Sequence, residues 1–375
     1  MIYLDNAATT LPDPQVVETV AETLRSYPGN PSSLHGPGRA AHRLLHSCRK
    51  TVANALGAEA KSLYFTSGGT ESNNWALCGA VHAMRHRGRH IISTAIEHDA
   101  VLAPLRDLTD RGYELTLLKP EKTGQISSET LAEALRPDTV LVSMMLVNNE
   151  TGAILPVSEL AETVRKHTAA LFHADAVSAF CKIPFTAPAL GVDLLSVSAH
   201  KLHGPKGVGA LWIRPSLNFP PLFWGGGQEE NLRAGTEPLH NIAGFAKAVA
   251  LMQESRDDIH AHLQALSGYL RENLPIAIPA VQFLPQGAPH IVSLSLPGTQ
   301  SEVLMNDLDR RGIYISHAAA CKRGAQSHVL TAMGLPKDVI SGTIRVSFSR
   351  HNSRQDVDAL IRALQDAKKK LFPSR

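Results

Sequence analysis

The sequence predicts an α/β protein built on a mostly parallel sheet, with a smaller α+β region at its carboxyl end. The chain has 375 residues, of which 43% are hydrophobic and 19% are charged, as in ordinary globular proteins. From residue 62 onward, short apolar runs alternate with amphipathic helical stretches, a pattern typical of repeated β–α units. After residue 227 this alternation changes to long helices followed by separate strands. The length therefore fits one large and one smaller domain.

Seven short apolar runs predict the strands of the large domain. They cover residues 63–66, 90–94, 114–118, 140–146, 170–173, 194–197 and 208–213. Helical stretches separate several of them; in the stretch 157–167, Leu160 and Val164 share one face. Because helical crossovers join parallel strands, we expect a doubly wound sheet with both faces covered.

The carboxyl-terminal region has a different order of elements. Helical patterns cover residues 238–256, 257–274, 301–311, 327–333 and 354–371, and strand patterns cover 290–296, 313–316 and 344–349. Residues 1–40 are rich in Pro, Gly and Asn and predict an irregular opening, followed by a helix over 39–56. We therefore predict a large domain over residues 15–256. A small domain would combine residues 1–14 with residues 257–375.

Composition excludes several functional classes. A net charge of +3 and a pI near 8.6 are too mild to indicate nucleic acid or a membrane surface as partner. Neither a signal peptide nor a membrane-spanning run is visible. The four cysteines are far apart and lack metal-binding spacing, so we expect no metal site and a reducing cytoplasm. They are Cys48, Cys78, Cys181 and Cys321.

Lys201 and a glycine-rich loop are the first candidates for a cofactor site. Lys201 follows the buried run 194–197, and ligands of open α/β sheets bind at the carboxyl ends of strands. A partly desolvated lysine there can form a Schiff base, although a surface lysine is the alternative. Residues 66–73 follow a strand and open a helix, where free N–H groups favour a phosphate. A simple helix cap by Thr70 is the alternative.

Further candidates follow other strands. His98 could stack on a flat ring and move protons, and the Asn149 amide could bind a carboxylate. Asp175 could keep a pyridine nitrogen protonated, which makes the ring an electron sink. Arg345, within an apolar strand, could bind a substrate carboxylate, and Cys321 precedes two cations that would favour its thiolate. The alternative is a structural histidine for His98, a turn for Asn149 and a helix cap for Asp175. For Arg345 it is a structural ion pair, and for Cys321 an inert buried cysteine.

In this order, these motifs resemble the cysteine desulfurases of the NifS/IscS type. Those enzymes belong to the class V aminotransferase family, whose fold is the fold-type I architecture of enzymes that use pyridoxal 5′-phosphate (PLP). The similar segments span nearly the whole chain: residues 3–10, 29–33, 66–73, 97–98, 147–150, 173–175, 198–201, 204–207, 225–228, 233–236, 320–321 and 344–345.

The resemblance implies a role for each matching residue. Lys201 would bind PLP covalently, His98 would stack on the ring and assist proton transfer, and Asp175 would pair with the ring nitrogen. The phosphate would bind to Gly69, Thr70, Ser198 and His200, with Thr236 reaching it from the other subunit of a homodimer. Asn149 and Arg345 would hold the substrate carboxylate, and Cys321 would accept the sulfur.

Two positions depart from the family pattern. The family commonly has Gln, bonded to the ring oxygen of PLP, where this chain has Ser178. Serine is shorter, so this bond would be lost or relayed by water. The loop before the nucleophile usually begins with Ser and Gly, whereas here it runs from Ser316 through His317 to three alanines. This difference bears on loop mobility and on the choice of partner.

The expected reaction is PLP-dependent conversion of L-cysteine to L-alanine. Sulfur would pass as a persulfide on Cys321 to a protein of iron–sulfur cluster assembly or tRNA thiolation. Two alternatives are a selenocysteine lyase or another PLP lyase, and a non-catalytic scaffold for sulfur transfer.

Overall fold

The computed structural model describes residues 1–317 and 326–372. Within them the strands are β1 (Ile2–Tyr3), β2 (Leu63–Thr66), β3 (His90–Thr94), β4 (Glu114–Leu118), β5 (Thr139–Met145), β6 (Leu171–Asp175), β7 (Leu194–Ser198), β8 (Gly209–Ile213), β9 (Gln282–Phe283), β10 (Ile291–Ser295), β11 (Ile313–Tyr314), β12 (Ser316–His317) and β13 (Thr343–Ser347).

The α-helices of the same residues alternate with these strands in the first half of the chain. They are α1 (Pro14–Ser26), α2 (Gly36–Ala55), α3 (Gly69–Met84), α4 (Asp99–Asp110), α5 (Ser128–Ala134), α6 (Val157–His167), α7 (Ala187–Leu190), α8 (Leu239–Glu254), α9 (Arg256–Ala277), α10 (Ser301–Arg310), α11 (His328–Ala332), α12 (Lys337–Ser341) and α13 (Arg354–Leu371).

The main sheet has seven strands in the order β2-β8-β7-β6-β5-β3-β4. Strands β3 to β7 pair in parallel, whereas β8 is antiparallel to both β2 and β7. The predicted mostly parallel seven-stranded sheet is therefore confirmed. Because β5, β6 and β7 are parallel neighbours, their carboxyl ends lie at one edge of the sheet, where ligands bind in such folds.

Both faces of the main sheet are covered, because successive apolar residues of each strand point to opposite sides. Ile91 and Leu141 contribute to a cluster with α3 and α4. Their neighbours Ile92 and Val142 belong to the larger core on the opposite face, which also includes residues of α2, α6 and α8. This double burial explains why the strands are continuously apolar runs.

A second, antiparallel sheet lies in the carboxyl-terminal region, with strand order β12-β13-β10-β9. The chain's first strand, β1, pairs in parallel with β11, and Asp5 forms a bridge with Ser347 of β13. One buried cluster extends from Leu4 through the main sheet to Ala367. The division into domains at residue 256 stays a prediction; the chain passes from α8 to α9 at Ser255.

The prediction of an irregular opening over residues 1–40 is wrong, because α1 occupies Pro14–Ser26. Asp13 caps this helix, its side chain accepting a hydrogen bond from the backbone N–H of Gln15. Pro14 is the first helical residue, where proline favours a helix because its fixed φ suits the first turn. Likewise, the residues from Gly36 to Gly38 begin α2 rather than forming a separate turn. The turn-forming residues here mark helix starts.

Gly209 lets β8 approach the loop before α3. A Cβ atom at this position would lie 2.6 Å from the Val197 carbonyl oxygen and 2.7 Å from the Gly68 Cα atom. Because both contacts are with backbone, neither could move aside. Gly209→Ala should therefore lower the free energy of unfolding by about 1–3 kcal/mol, measured from urea unfolding.

Gly268→Ala provides the matched control. Gly268 lies within α9 and has no neighbouring atom within 4 Å of a built Cβ. This change should raise the stability by about 0.5–1 kcal/mol, because alanine favours a helix interior over glycine. Equal effects of the two substitutions would contradict the close approach at Gly209.

Candidate active site

A cavity of about 510 Å³ opens at the carboxyl edge of the main sheet. It collects nine of the residues singled out in the sequence. They are Gly69, Thr70, His98, Asn149, Asp175, Ser178, Ser198, His200 and Lys201. The ends of three strands, β5, β6 and β7, contribute to its wall together with the amino-terminal arm, so residues far apart in the chain meet at one place.

One end of the cavity is the amino terminus of α3. Gly68 precedes this helix with a φ of 151°, a conformation that residues with a side chain rarely adopt. Because Gly68 is the N-cap, the predicted alternative of a cap by Thr70 is excluded. A Cβ atom at Gly69 would lie 2.7 Å from Val177. The buried Ser198 hydroxyl has no hydrogen-bond partner among the described residues. An anion bound to the free N–H groups of α3 would give that hydroxyl a partner, so this end fits a phosphate.

Asp175 ends β6 inside the cavity. One of its carboxylate oxygens accepts from the Val177 backbone N–H at 2.9 Å, and the other accepts from the Asn73 side-chain amide at 2.7 Å. These two hydrogen bonds hold the carboxylate in place at the end of β6. Asn73 was not predicted as a site residue, although a polar residue on the buried face of α3, close after the glycine loop, is a signal for such a role.

His98 caps α4 and also lines the cavity, so it has a structural role as well. Its Nδ1 accepts from the Ala100 backbone N–H at 3.0 Å, which places the proton of a neutral ring on Nε2. Burial is the main cause that lowers the pKa of His98, and the positive charge of Lys201 adds to it. The ring is therefore neutral and able to exchange a proton through Nε2.

Glu97, which sequence reasoning left without a role, is fully buried next to His98. One of its oxygens accepts from the Thr94 hydroxyl at 2.6 Å and from the Met145 backbone N–H at 2.9 Å. The other oxygen is buried without a partner among the described residues. Burial raises the pKa of Glu97 to about 8. The carboxyl group is therefore protonated at neutral pH.

Lys201 is held by the amino-terminal arm. Its Nζ donates to the backbone carbonyls of Ala7 and, at 3.0 Å, Ala8. The neighbouring His200 has its Nδ1 3.2 Å from the Thr9 hydroxyl, and burial, with help from nearby Lys201, lowers the pKa of His200 to about 4. The arm therefore closes one side of the cavity and fixes the lysine within it.

Arg345 is buried and reaches the cavity through Asn149. It donates one hydrogen bond to the Asn149 carbonyl and one to the Asp5 carboxylate, both at 2.8 Å. The ion pair that was the structural alternative for this arginine is thus present. The Arg345 Nε atom has no partner among the described residues, so a donor remains for a substrate carboxylate. That role stays a prediction.

The remaining predicted residues have different locations. Thr236 is exposed and is not among the residues that line the cavity. Cys321 and its cationic neighbours lie outside the described residues. The described part of the chain contains no group of three or more His, Cys, Asp or Glu side chains arranged to hold a metal ion. Its helices are too short or too polar to cross a membrane.

Comparison with known proteins shows the family of this chain. The family model for aminotransferase class-V matches residues 2–360. The chain belongs to this family. A cysteine desulfurase IscS from Methanosarcina thermophila is 40% identical over 377 residues, which cover 99% of this chain and 92% of that protein.

Two solved structures extend this likeness to the fold. A NifS-like protein has a TM-score of 0.92 and 36% identity, covering 97% of this chain and 98% of its own. A structure of SspA in complex with cysteine has a TM-score of 0.82 and 31% identity, covering 94% of this chain and 100% of its own. The predicted fold class, the fold-type I architecture, is confirmed.

The buried Glu97 carboxyl predicts a specific pH dependence of stability. Its pKa is about 8 in the folded chain against an ordinary value of 4.5, so between these values only the folded chain keeps the proton. The free energy of unfolding therefore falls as pH rises through this window. Glu97→Gln has no proton to lose and keeps an oxygen acceptor. Its stability relative to the unchanged protein should grow with pH, by at most about 1.4 kcal/mol per unit.

The measurement is urea unfolding at several pH values between about 5 and 8, the window that this pKa defines. Glu133→Gln, which changes an exposed carboxyl on α5, is the matched control and should give a smaller change. A stability difference for Glu97→Gln that is constant over this range would show that Glu97 is ionised in the folded protein.

Proposed function

We propose that this chain is a cysteine desulfurase that converts L-cysteine to L-alanine and transfers the sulfur to Cys321. One observation carries the proposal. A lysine, a buried carboxylate, a histidine and a helix amino terminus converge on one cavity, in a chain that is similar over 99% of its length to a cysteine desulfurase. These are the groups that an enzyme using PLP needs.

The residues of the cavity fit PLP, the cofactor of this family. The amino terminus of α3, with the hydroxyls of Thr70 and Ser198, would bind the phosphate, and Asp175 would pair with the ring nitrogen. Lys201 would bind the cofactor covalently. Ser178 lines the cavity, but its side chain is short, so it would control the ring oxygen less directly than glutamine. Bound PLP supplies the electron sink that lets the Cα proton of cysteine leave.

Lys201 and His98 are the groups that would move this proton. Both line the cavity, and the Nδ1 atom of His98 is already engaged by the Ala100 backbone. Nε2 therefore remains to hold or release a proton, and the Nζ amine of Lys201 is the second group that could accept one. Each group would exchange a proton with the substrate carbon.

The substrate carboxylate would bind where Asn149 meets Arg345. Asn149 lines the cavity, and its carbonyl accepts from Arg345. A free amino acid brings one carboxylate, which a guanidinium binds well. Asp5 already pairs with that guanidinium. To bind the substrate, Arg345 would either donate from its unpaired Nε atom or give up its ion pair with Asp5.

Cys321 would complete the reaction as the nucleophile. Its thiolate would attack the substrate sulfur, and the Cβ–S bond would break. Cβ would then accept a proton and Cα would regain the one it lost, leaving L-alanine and a persulfide on Cys321. Lys322 and Arg323 follow it in the sequence, and nearby positive charge favours a thiolate. We infer that the sulfur passes to an acceptor protein for iron–sulfur clusters or tRNA thiolation.

We further infer a homodimer and a cytoplasmic location. Thr236 is exposed in the single chain, which suits a residue that completes the phosphate site of a second copy. The described cysteines, Cys48, Cys78 and Cys181, are free thiols, and a reducing cytoplasm preserves the thiols that persulfide chemistry requires.

Cys321→Ser tests the function directly. Because serine cannot carry a persulfide, the purified variant should keep bound PLP and its absorbance change on adding L-cysteine, yet release no sulfide and form no L-alanine. Cys78→Ser changes a partly buried thiol on α3 and should leave both products at the rate of the unchanged protein.

Alanine formation by Cys321→Ser at that same rate would refute the persulfide mechanism. If this variant also turned over selenocysteine while the unchanged protein barely used cysteine, a selenocysteine lyase would be the better description.

A further inference from the structure

The first turn of α11 is tied to the wall of the cavity by a buried hydroxyl. Ser327 caps this helix by accepting from the Leu330 backbone N–H at 3.1 Å. The same hydroxyl donates to a carboxylate oxygen of Glu150 at 2.5 Å. Ser327 and Glu150 are 3% and 7% exposed, so this contact is shielded from water. Hydrogen bonds to a buried carboxylate are stronger than those between neutral groups.

The next residue makes a second contact with the same wall. His328 donates from Nε2 to the backbone carbonyl of Glu97 at 2.9 Å. Glu97 immediately precedes His98, and Glu150 immediately follows Asn149. Both contacts therefore join α11 to the loops that carry two residues of the cavity. Cys321 lies six residues before Ser327 in the sequence, so α11 is the first described helix after the nucleophile.

The strand that precedes Cys321 leads to the same place. Ser316 of β12 pairs with Arg345 of β13, and Arg345 donates to the Asn149 carbonyl at 2.8 Å. The described residues on both sides of Cys321 thus converge on Asn149 and Glu150. The Asn149 carbonyl accepts from Arg345, and the Glu150 carboxylate accepts from Ser327.

Glu150 lies between groups of α11 and β13. Burial is the largest cause that acts on its pKa and raises it above the ordinary value, and nearby Asp99 acts in the same direction. The hydrogen bond from Ser327 and the positive charge of Arg345 only partly offset this rise. Loss of the Ser327 hydroxyl would remove the hydrogen bond that the Glu150 side chain receives.

We propose that Glu150 and Ser327 are positioning residues, which fix the chain after Cys321 so that its thiol meets the sulfur of a substrate held at Asn149. The inference rests on the proposed function. It assigns the pair to the sulfur-transfer step and not to binding of the cofactor or of cysteine. Because Asn149 and Glu150 are consecutive, binding of the substrate carboxylate and placement of the thiol depend on the same short loop.

The test uses the PLP-loaded protein with the substitutions Glu150→Ala, Ser327→Ala, their combination and Glu150→Gln. Each alanine substitution should lower kcat for alanine formation about tenfold, the effect of losing one hydrogen bond to a charged group. KM for L-cysteine and the PLP content should stay close to those of the unchanged protein. The double variant should be no slower than either single variant, because the two substitutions remove the same hydrogen bond. Glu150→Gln keeps an oxygen acceptor and should restore most of kcat.

A second measurement reports on Cys321 without turnover. The rate at which iodoacetamide alkylates Cys321, followed by mass spectrometry in the presence of L-alanine, should rise in the alanine variants, because they lose the contact that, on this proposal, positions the thiol. Ser127→Ala removes the equivalent cap of α5 and serves as control, with kcat and alkylation unchanged.

The outcomes distinguish failure of this positioning role from failure of the proposed desulfurase function. Unchanged kcat and alkylation in both alanine variants, with Cys321→Ser inactive, would overturn the positioning role and leave the desulfurase intact. A matched loss of PLP or of cysteine binding in those variants would also overturn it, since the pair would then support the cavity as a whole. Activity in Cys321→Ser would instead remove the function on which the proposal depends.

Discussion

The close packing of the loop before α3 against β8 is the constraint on which the cavity depends. Gly68 and Gly209 approach so closely that a Cβ atom on Gly209 would lie 2.7 Å from the Gly68 backbone. This contact fixes the amino terminus of α3 beside β7, the neighbour of β8 in the sheet. Ser198 at the end of β7 therefore faces the helix terminus, and Lys201 follows within one short turn.

The same helix orients the opposite end of the cavity. Asn73, one turn into α3, donates to Asp175 at the end of β6. A single helix thus positions both the backbone that would bind the phosphate and the carboxylate that would face the ring nitrogen. Rigid elements hold such groups more accurately than loops do, because packing fixes their side-chain conformations.

The amino-terminal arm connects this cavity to the second sheet. Its Ala7 and Ala8 carbonyls accept from Lys201, while Asp5 pairs with Arg345 of β13. The arm also pairs with β11 through β1. The first ten residues of the chain therefore link Lys201 to Arg345 of β13, the two residues predicted to bind the cofactor and the substrate carboxylate.

The sequence predicted most of the fold because burial on both sides makes a strand uniformly apolar. Helix 157–167 was predicted with its observed bounds, since its amphipathic stripe is clear. The helix at Pro14 was missed because turn-forming residues also start helices. Asn73, Glu97 and Ser327 were not assigned roles, because their partners lie 102, 48 and 177 residues away. Asn73 gave a local signal as a polar residue close after the glycine loop, whereas no local pattern indicates the contacts of Glu97 and Ser327.

Covalent labelling of the PLP-loaded protein tests whether Lys201 is the lysine that binds the cofactor. Among the described residues, Lys201 and Lys206 are the lysines that line the cavity, and the arm holds Lys201 at the end of β7. Borohydride reduction, digestion and mass spectrometry should place the pyridoxyl group on Lys201, and Lys201→Ala should abolish the label. A pyridoxyl group on Lys206, or one that persists in Lys201→Ala, would contradict the account of the cavity.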